Sequence, residues 1–280
     1  MRFVLLCILP VLIILMLVWA VIENIFILMV SCFKIKTDIP TGFDKMRFVQ
    51  LSDIHKRSFG KGNKRLIKKI SAYNPEVIFL TGDMVSRDTV DFSEIKLLLT
   101  QLLRIAPVYY SLGNHETDLG ETRLAELSMV IANSGAVLLN NASVTLVRNS
   151  SRLCIKGVTL DGACYKNKTG YSGLKALTAG DLGEKPDCFT VLLAHNPLFF
   201  DAYSQWGASL VLSGHIHGGA VRLPFVKGVL SPERKFFPKY SAGLYYKGSS
   251  VMLVSRGLGK LRLFNPPQIV VAELEASERS

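Results

Sequence analysis

Five short apolar runs in this chain each stop directly at a residue able to bind a metal or carry a proton. Leu51 leads into Asp53-Ile54-His55, Leu80 into Gly82-Asp83, Leu112 into Gly113-Asn114-His115-Glu116, Leu193 into His195, and Leu212 into Gly214-His215-Ile216-His217-Gly218-Gly219. In layered α/β folds, ligands bind outside the carboxyl ends of the strands, so five such loops would converge on one crevice. The chain has five histidines, and all of them fall at these loops. A single histidine at a strand end is more often structural than a ligand, because imidazole has many satisfied roles. Five of five is not incidental.

The runs sit in a recognisable rhythm. Arg47 to Leu51, Val77 to Leu80 and Val108 to Leu112 read as short buried strands, followed by helices over Lys64 to Tyr73, Ser93 to Leu103 and Glu121 to Asn133. The middle changes character: Ala136 to Leu139, Ser143 to Arg148 and Leu153 to Thr159 look like successive strands. Phe189 to Leu193, Ser209 to Leu212, Val251 to Val254 and Ile269 to Leu274 are further strand-like runs. Strand-helix units first and strand-rich segments later predict two packed sheets with helices outside, an α/β sandwich.

Before this rhythm, Phe3 to Ile22 is apolar over the ~20 residues that a helix needs to cross a bilayer core. A cleaved signal peptide would have a shorter apolar region and a small-residue cleavage site. The expectation is one uncleaved transmembrane helix in residues 1–36, a polar linker from Lys34 to Lys45, and a catalytic domain over 37–280. Lys34, Lys36, Lys45 and Arg47 follow the run while only Arg2 precedes it. That bias places the catalytic domain on the cytoplasmic side of a cell membrane. Five sparse, irregularly spaced cysteines make neither a disulfide framework nor a zinc-knuckle pattern.

The net charge of +11 suits an anionic partner, and Lys56, Arg57, Lys61, Lys64, Arg65, Lys68 and Lys69 concentrate it. A solvated helix face is the plain reading of that cluster, and attraction to anionic lipid headgroups the sharper one. The lack of an interleaved basic and aromatic tract weighs against nucleic acid. Arg57, Arg87 and Arg222 are candidates to clamp phosphate, since guanidinium binds it bidentately.

In Asp53-x-His55 and His215-x-His217, residues two apart project from one side of an extended segment, so one short loop can present two ligands. Carboxylate, amide and imidazole without thiolate suit Mn, Fe or Zn. Together these blocks resemble the calcineurin-like metallophosphoesterases, with their D-x-H, G-D, G-N-H-[DE], H and G-H-x-H motifs in order between Met46 and Leu274. Gly218-Gly219-Ala220-Val221-Arg222-Leu223-Pro224-Phe225 is similar to the G-G-x-x-R-L-P-F continuation of a bacterial membrane-linked branch, with Ala220 where glutamine is common.

The resemblance implies a four-layer α/β/β/α sandwich of two mixed sheets. It also implies two divalent metal ions, manganese favoured. Asp53, His55 and His217 would hold one, Asn114, His195 and His215 the other, and Asp83 would bridge them. A hydroxide shared by such a pair would attack the phosphoester in line. His115 would donate a proton to the leaving oxygen or orient the phosphate, and Glu116 would orient a histidine. The substrate is expected to be a phosphodiester, phosphomonoester or pyrophosphate, with a lipid-linked pyrophosphate of the UDP-diacylglucosamine type as the sharper expectation. The rivals are an inactive binding module on the same fold and a nuclease.

Overall fold

The computed structural model describes residues 2–165, 176–223, 227–230, 236–259 and 262–277, with all their side chains except those of 2–7, 24, 223 and 227. Pro224 and Phe225 of the sequence motif lie outside the described residues. In chain order the elements begin with α1 (Arg2–Phe26), β1 (Met29–Thr37), β2 (Arg47–Leu51), α2 (Lys64–Ser71), β3 (Val77–Thr81), α3 (Ser93–Leu103), β4 (Val108–Ser111), α4 (Asn114–Thr117) and α5 (Glu121–Ser134). There follow β5 (Val137–Leu138), β6 (Ser143–Arg148), β7 (Ser151–Val158), β8 (Phe189–Ala194), α6 (Phe200–Trp206), β9 (Leu210–Ser213), β10 (Val221–Leu223), β11 (Lys227–Leu230), β12 (Gly243–Lys247), β13 (Ser250–Val254) and β14 (Gln268–Ala276).

Two six-stranded mixed sheets result, ordered β1-β14-β2-β3-β4-β5 and β12-β13-β9-β8-β7-β6. Within the first, β2, β3, β4 and β5 run parallel; within the second, β7, β8, β9 and β13 do. These strands read as continuous apolar runs because both faces of each sheet are covered. One face of each sheet meets the other in a core of Phe48, Phe79, Leu153, Ile155, Leu193 and Leu212. The outer face of the first sheet packs on α2, α3 and α5 through Leu66, Ile70, Leu98, Leu102, Leu127 and Ile131, and that of the second on α6 through Tyr203 and Trp206. Gln50 ties the two sheets together, donating to Thr81 Oγ1 at 3.0 Å and to the Ser213 carbonyl at 2.9 Å.

Two expectations at the amino end change. The end of the apolar run and the start of the expected linker are instead an edge strand: β1 pairs in parallel with β14, from Met29 opposite Gln268 to Thr37 opposite Ala276. Its alternation of Phe33 and Ile35 with Lys34 and Lys36 is the period of a half-covered strand, which the apolar run before it conceals. The second concerns the expected transmembrane helix. No helix of the described residues is long and apolar enough to cross a membrane. What is described is a helix with Ile8, Leu12, Leu15, Trp19, Ile22 and Phe26 exposed.

The foot of α1 is fixed to the body by the basic helix α2. Arg65 donates to the carbonyls of Ile25 and Phe26 at 3.3 and 2.5 Å, and Lys69 to that of Leu28 at 2.8 Å. These cations take up carbonyls left open where the helix ends, which is how basic side chains favour helix C-termini. Part of the basic cluster therefore has a structural use rather than a free anionic partner.

Candidate metal centre

The strand-end loops do converge. Asp53, His55 and His217 form one group of ligand atoms within 4.8 Å of one another, and Asp83, His195 and His215 form another; His55, Asp83 and His115 make a third that joins them. Asp53 Oδ1 lies 3.5 Å from His217 Nε2, and Asp83 Oδ2 lies 3.2 Å from His195 Nε2. The rings of His55 and His217 stack at 5.5 Å, and His115 sits edge-on to His55 at 4.5 Å. Asn114, at the start of α4, is buried beside them.

Backbone geometry differs from the extended loops expected from the i, i+2 spacing. Asp53, His55, Asp83, His215 and His217 all have positive φ, between 52° and 66°. That region is costly for residues with a Cβ and collects at functional sites, where surrounding structure over-determines it. The surroundings here are very close. A Cβ on Gly113 would stand 2.3 Å from Asp83 Oδ1, and one on Gly214 would stand 1.9 Å from Ser52 Oγ. Glycine at these points lets one loop press against the carboxylate of another.

The residues fit a pair of cations. Asp53 Oδ2, His55 Nδ1 and Asn114 Oδ1 are buried without a hydrogen-bond partner, a costly state unless a ligand completes it. His195 Nδ1 donates to the Thr81 carbonyl at 2.7 Å, which turns Nε2 toward Asp83 as the atom that a metal ion would take in place of a proton. Oxygen and imidazole donors without a thiolate suit a borderline or hard divalent ion.

Charge is shared tightly across the cluster. Burial raises Asp83, but His195, His115 and His55 outweigh it and hold its carboxyl well below the usual range. Burial lowers His195, yet Asp83 and Asp53 lift it to about 10. His115 is pushed down to about 4 by burial, helped by His55 and Arg87 against the pull of Asp83, and His217 to about 3 by burial, helped by Arg262 and His55 against Asp53. Below an unfolded histidine value of about 6.5, the unfolded chain binds protons that folded His115 and His217 refuse, so stability falls with falling pH. Above it, folded His195 keeps a proton that the unfolded chain releases, so stability falls again toward pH 10. The metal-free protein should therefore melt highest near pH 6.5 and lower on both sides; a melting temperature that climbs steadily from pH 6 to 9 would contradict the charge assignment.

Glu116 does not orient a histidine as the sequence suggested. Its carboxylate accepts the backbone N–H groups of Asp83 at 2.8 Å, Met84 at 2.7 Å, Val85 at 3.3 Å and Gly113 at 2.8 Å, and the Tyr110 hydroxyl at 2.8 Å. It thereby pins the loops that carry Asp83 and Asn114. Of the three candidate arginines, Arg87 is paired with Asp118 at 2.9 Å and lies against His115, with its guanidinium 3.1 Å from Nε2. Arg222 is half-buried near Arg256, and Arg57 borders the cavity beside His55.

Sequence reasoning missed the loop after β13. Asn265 donates to the carbonyls of His217 and Gly219, both at 2.7 Å, and the buried Arg262 donates to the carbonyl of His217 at 3.1 Å while standing 3.3 Å from its Nδ1. The signal was present, because Val254 runs into Ser255-Arg256-Gly257 as a sixth strand end of the same kind. Residues that hold a ligand in place typically change metal affinity about 10–100-fold when removed. Asn265→Ala should weaken divalent-ion binding by about that factor in equilibrium titration, together with a lower metal-free melt because the buried Asn265 no longer donates to the two carbonyls; unaltered affinity would show that the loop only fills space.

The sequence profile of the calcineurin-like phosphoesterases matches residues 46–219. The chain belongs to that family. It is 31% identical over 251 residues to the uncharacterized metallophosphoesterase YkuE of Bacillus subtilis, covering 85% of this chain and 82% of the relative. It is 29% identical to the phosphodiesterase YaeI of Escherichia coli, with coverage of 71% and 70%, and 25% identical to the UDP-2,3-diacylglucosamine pyrophosphatase LpxG of Chlamydia muridarum, with coverage of 81% and 82%. This metallophosphoesterase is thus a hydrolase of a family that works with two metal ions, and its clustered histidines and aspartates are able to bind metal.

Proposed function

We propose that this metallophosphoesterase hydrolyses a diphosphate, phosphodiester or phosphomonoester bond at a membrane surface, on a lipid-linked substrate. The observation that carries the chemistry is the pair of ligand groups, Asp53-His55-His217 and Asp83-His195-His215. Asn114 would complete the second, Asp83 would lie between them, and manganese is the favoured ion. When bound, two such ions supply a water acidified toward neutral pKa and a clamp on the phosphoryl oxygens. The chain's own part is placement. Glu116 fixes the Asp83 loop, Thr81 fixes the ring of His195, and Asn265 and Arg262 fix His217. His115, neutral and next to Asp83, would hold the phosphoryl group by hydrogen bonding rather than act as a strong acid.

The membrane part of the reading rests on α1, whose exposed apolar side chains would meet water in solution, and on the basic helix fixed at its foot. The pyrophosphatase named among the relatives acts on a lipid-bearing diphosphate, which fits a site held close to a bilayer.

The test uses the full chain in detergent micelles. Turnover of an aryl phosphodiester that needs Mn²⁺ and stops with chelator is expected, together with faster turnover of a UDP-diacylglucosamine-type diphosphate. A folded, metal-loaded protein inert toward both would sink the hydrolase reading; equal rates with and without the acyl chains would sink the lipid one.

A further inference from the structure

A cavity of about 750 Å³ opens beside the metal cluster, with His55, Lys56, Arg57, Ser58 and Lys61 on the near wall. The residue that stands out is Arg57. The residue is only 8% exposed, and its guanidinium packs on the Phe59 ring at 4.8 Å and donates to the Gly259 carbonyl at 2.8 Å. Gly259 in turn abuts the Asp53 carbonyl and His217 Nδ1, since a Cβ there would lie 3.2 and 3.5 Å from them. The guanidinium is therefore one residue away from the ligands Asp53 and His217 and two positions along the chain from His55. Among the described residues no carboxylate pairs with it, and its charged neighbours are Arg65 and Arg262. A guanidinium has five donors, and Gly259 takes one. A desolvated cation without a counter-ion, facing a cavity at the edge of a phosphoryl-transfer site, is a site for an anion.

The far wall limits what that anion belongs to. Asp88 is paired with Lys56 across the cavity, Asp91 accepts the N–H and hydroxyl of Ser93 at the start of α3, and Glu94 follows in its first turn. Carboxylates there accept hydroxyl groups and repel further phosphates. A chain of repeating phosphates such as a nucleic acid is disfavoured, whereas one phosphate next to the scissile one is accommodated.

We infer that Arg57 and the near wall of this cavity bind the second phosphate of a diphosphate, so that the site selects diphosphate diesters over simple phosphodiesters. The inference rests on the hydrolase reading above and narrows its substrate class. In the reaction one water adds across one P–O bond of the diphosphate. The bridging oxygen leaves with the second phosphate, and the two protons of the water end on the two phosphomonoesters. Charge grows on the departing phosphate as that bond breaks, next to the guanidinium, which can meet two of its oxygens at once.

The full chain with Mn²⁺ would be assayed on bis(para-nitrophenyl) diphosphate, followed by phosphorus NMR, and on bis(para-nitrophenyl) phosphate. The unaltered protein should show kcat/KM at least about tenfold higher on the diphosphate, and Arg57→Gln should lower that ratio by about 30-fold, with Arg57→Lys recovering only part of it, because the charge returns without the two-point contact. An unaltered protein that prefers the phosphodiester, or a ratio unmoved in Arg57→Gln, overturns the subsite while leaving the hydrolase reading in place. Turnover of neither compound removes both. Should Arg57→Gln fail to fold, the preference of the unaltered protein and the Arg57→Lys ratio still decide.

Discussion

Asp83→Asn is expected to lower Mn²⁺-dependent hydrolysis by about three orders of magnitude without unfolding the protein, because bound cations contribute several kcal/mol of transition-state stabilisation and each ~1.4 kcal/mol is tenfold in rate. Asparagine keeps one oxygen to accept the His115 N–H, now 2.8 Å from Asp83 Oδ1. It loses the charge, and it turns the atom now facing His195 Nε2 at 3.2 Å into an amide nitrogen. Among the described residues, Asp83 is also the only one common to the His55-His115 and the His195-His215 groups. Losing its charge should therefore weaken both halves of the centre, whereas loss of Asn114 should weaken one. The measurement is kcat/KM on an aryl phosphodiester with bound metal counted in parallel. Two metal equivalents and activity within tenfold of the unaltered protein would show that Asp83 is not the bridge.

Much of this site is legible in the sequence, and particular residues show why. The blocks at Asp53, Asp83, Asn114, His195 and His215 end strands that are apolar on both faces, so each strand advertised itself by composition and each loop by its polar break. β2, β6 and α3 fall where the apolar pattern put them. Where the reading went astray, the cause is pairing or direction that a linear pattern does not carry. β1 was hidden because Met29 to Phe33 continues an apolar run, and only its partner β14 distinguishes a strand from the tail of a helix. The left-handed backbone at five ligands was invisible because aspartate and histidine do not announce it as glycine does. Glu116 was given to a histidine because carboxylates often orient imidazoles, yet its neighbours in space are four backbone N–H groups and a tyrosine.

That last residue carries the largest expected loss of stability. Glu116 is fully buried, and its two oxygens receive four backbone N–H groups and the Tyr110 hydroxyl. Burial and the nearby Asp83 charge raise its pKa, while those donors pull it back, so the ionised form is the one its surroundings are built around. In Glu116→Gln one oxygen becomes an NH₂ group aimed at donors. At least one buried N–H then loses its acceptor at about 1–3 kcal/mol each, and a total near 3 kcal/mol corresponds to a fall in melting temperature of about 5–10 °C for a chain of this size. Metal affinity should fall with it, because the Asp83, Met84 and Val85 amides are no longer held in the conformation that presents the Asp83 carboxylate. If Glu116 instead acted by orienting a histidine, the substitution would reduce activity and leave the metal-free melt where it was. Melting curves with and without Mn²⁺, read beside kcat, separate the two roles.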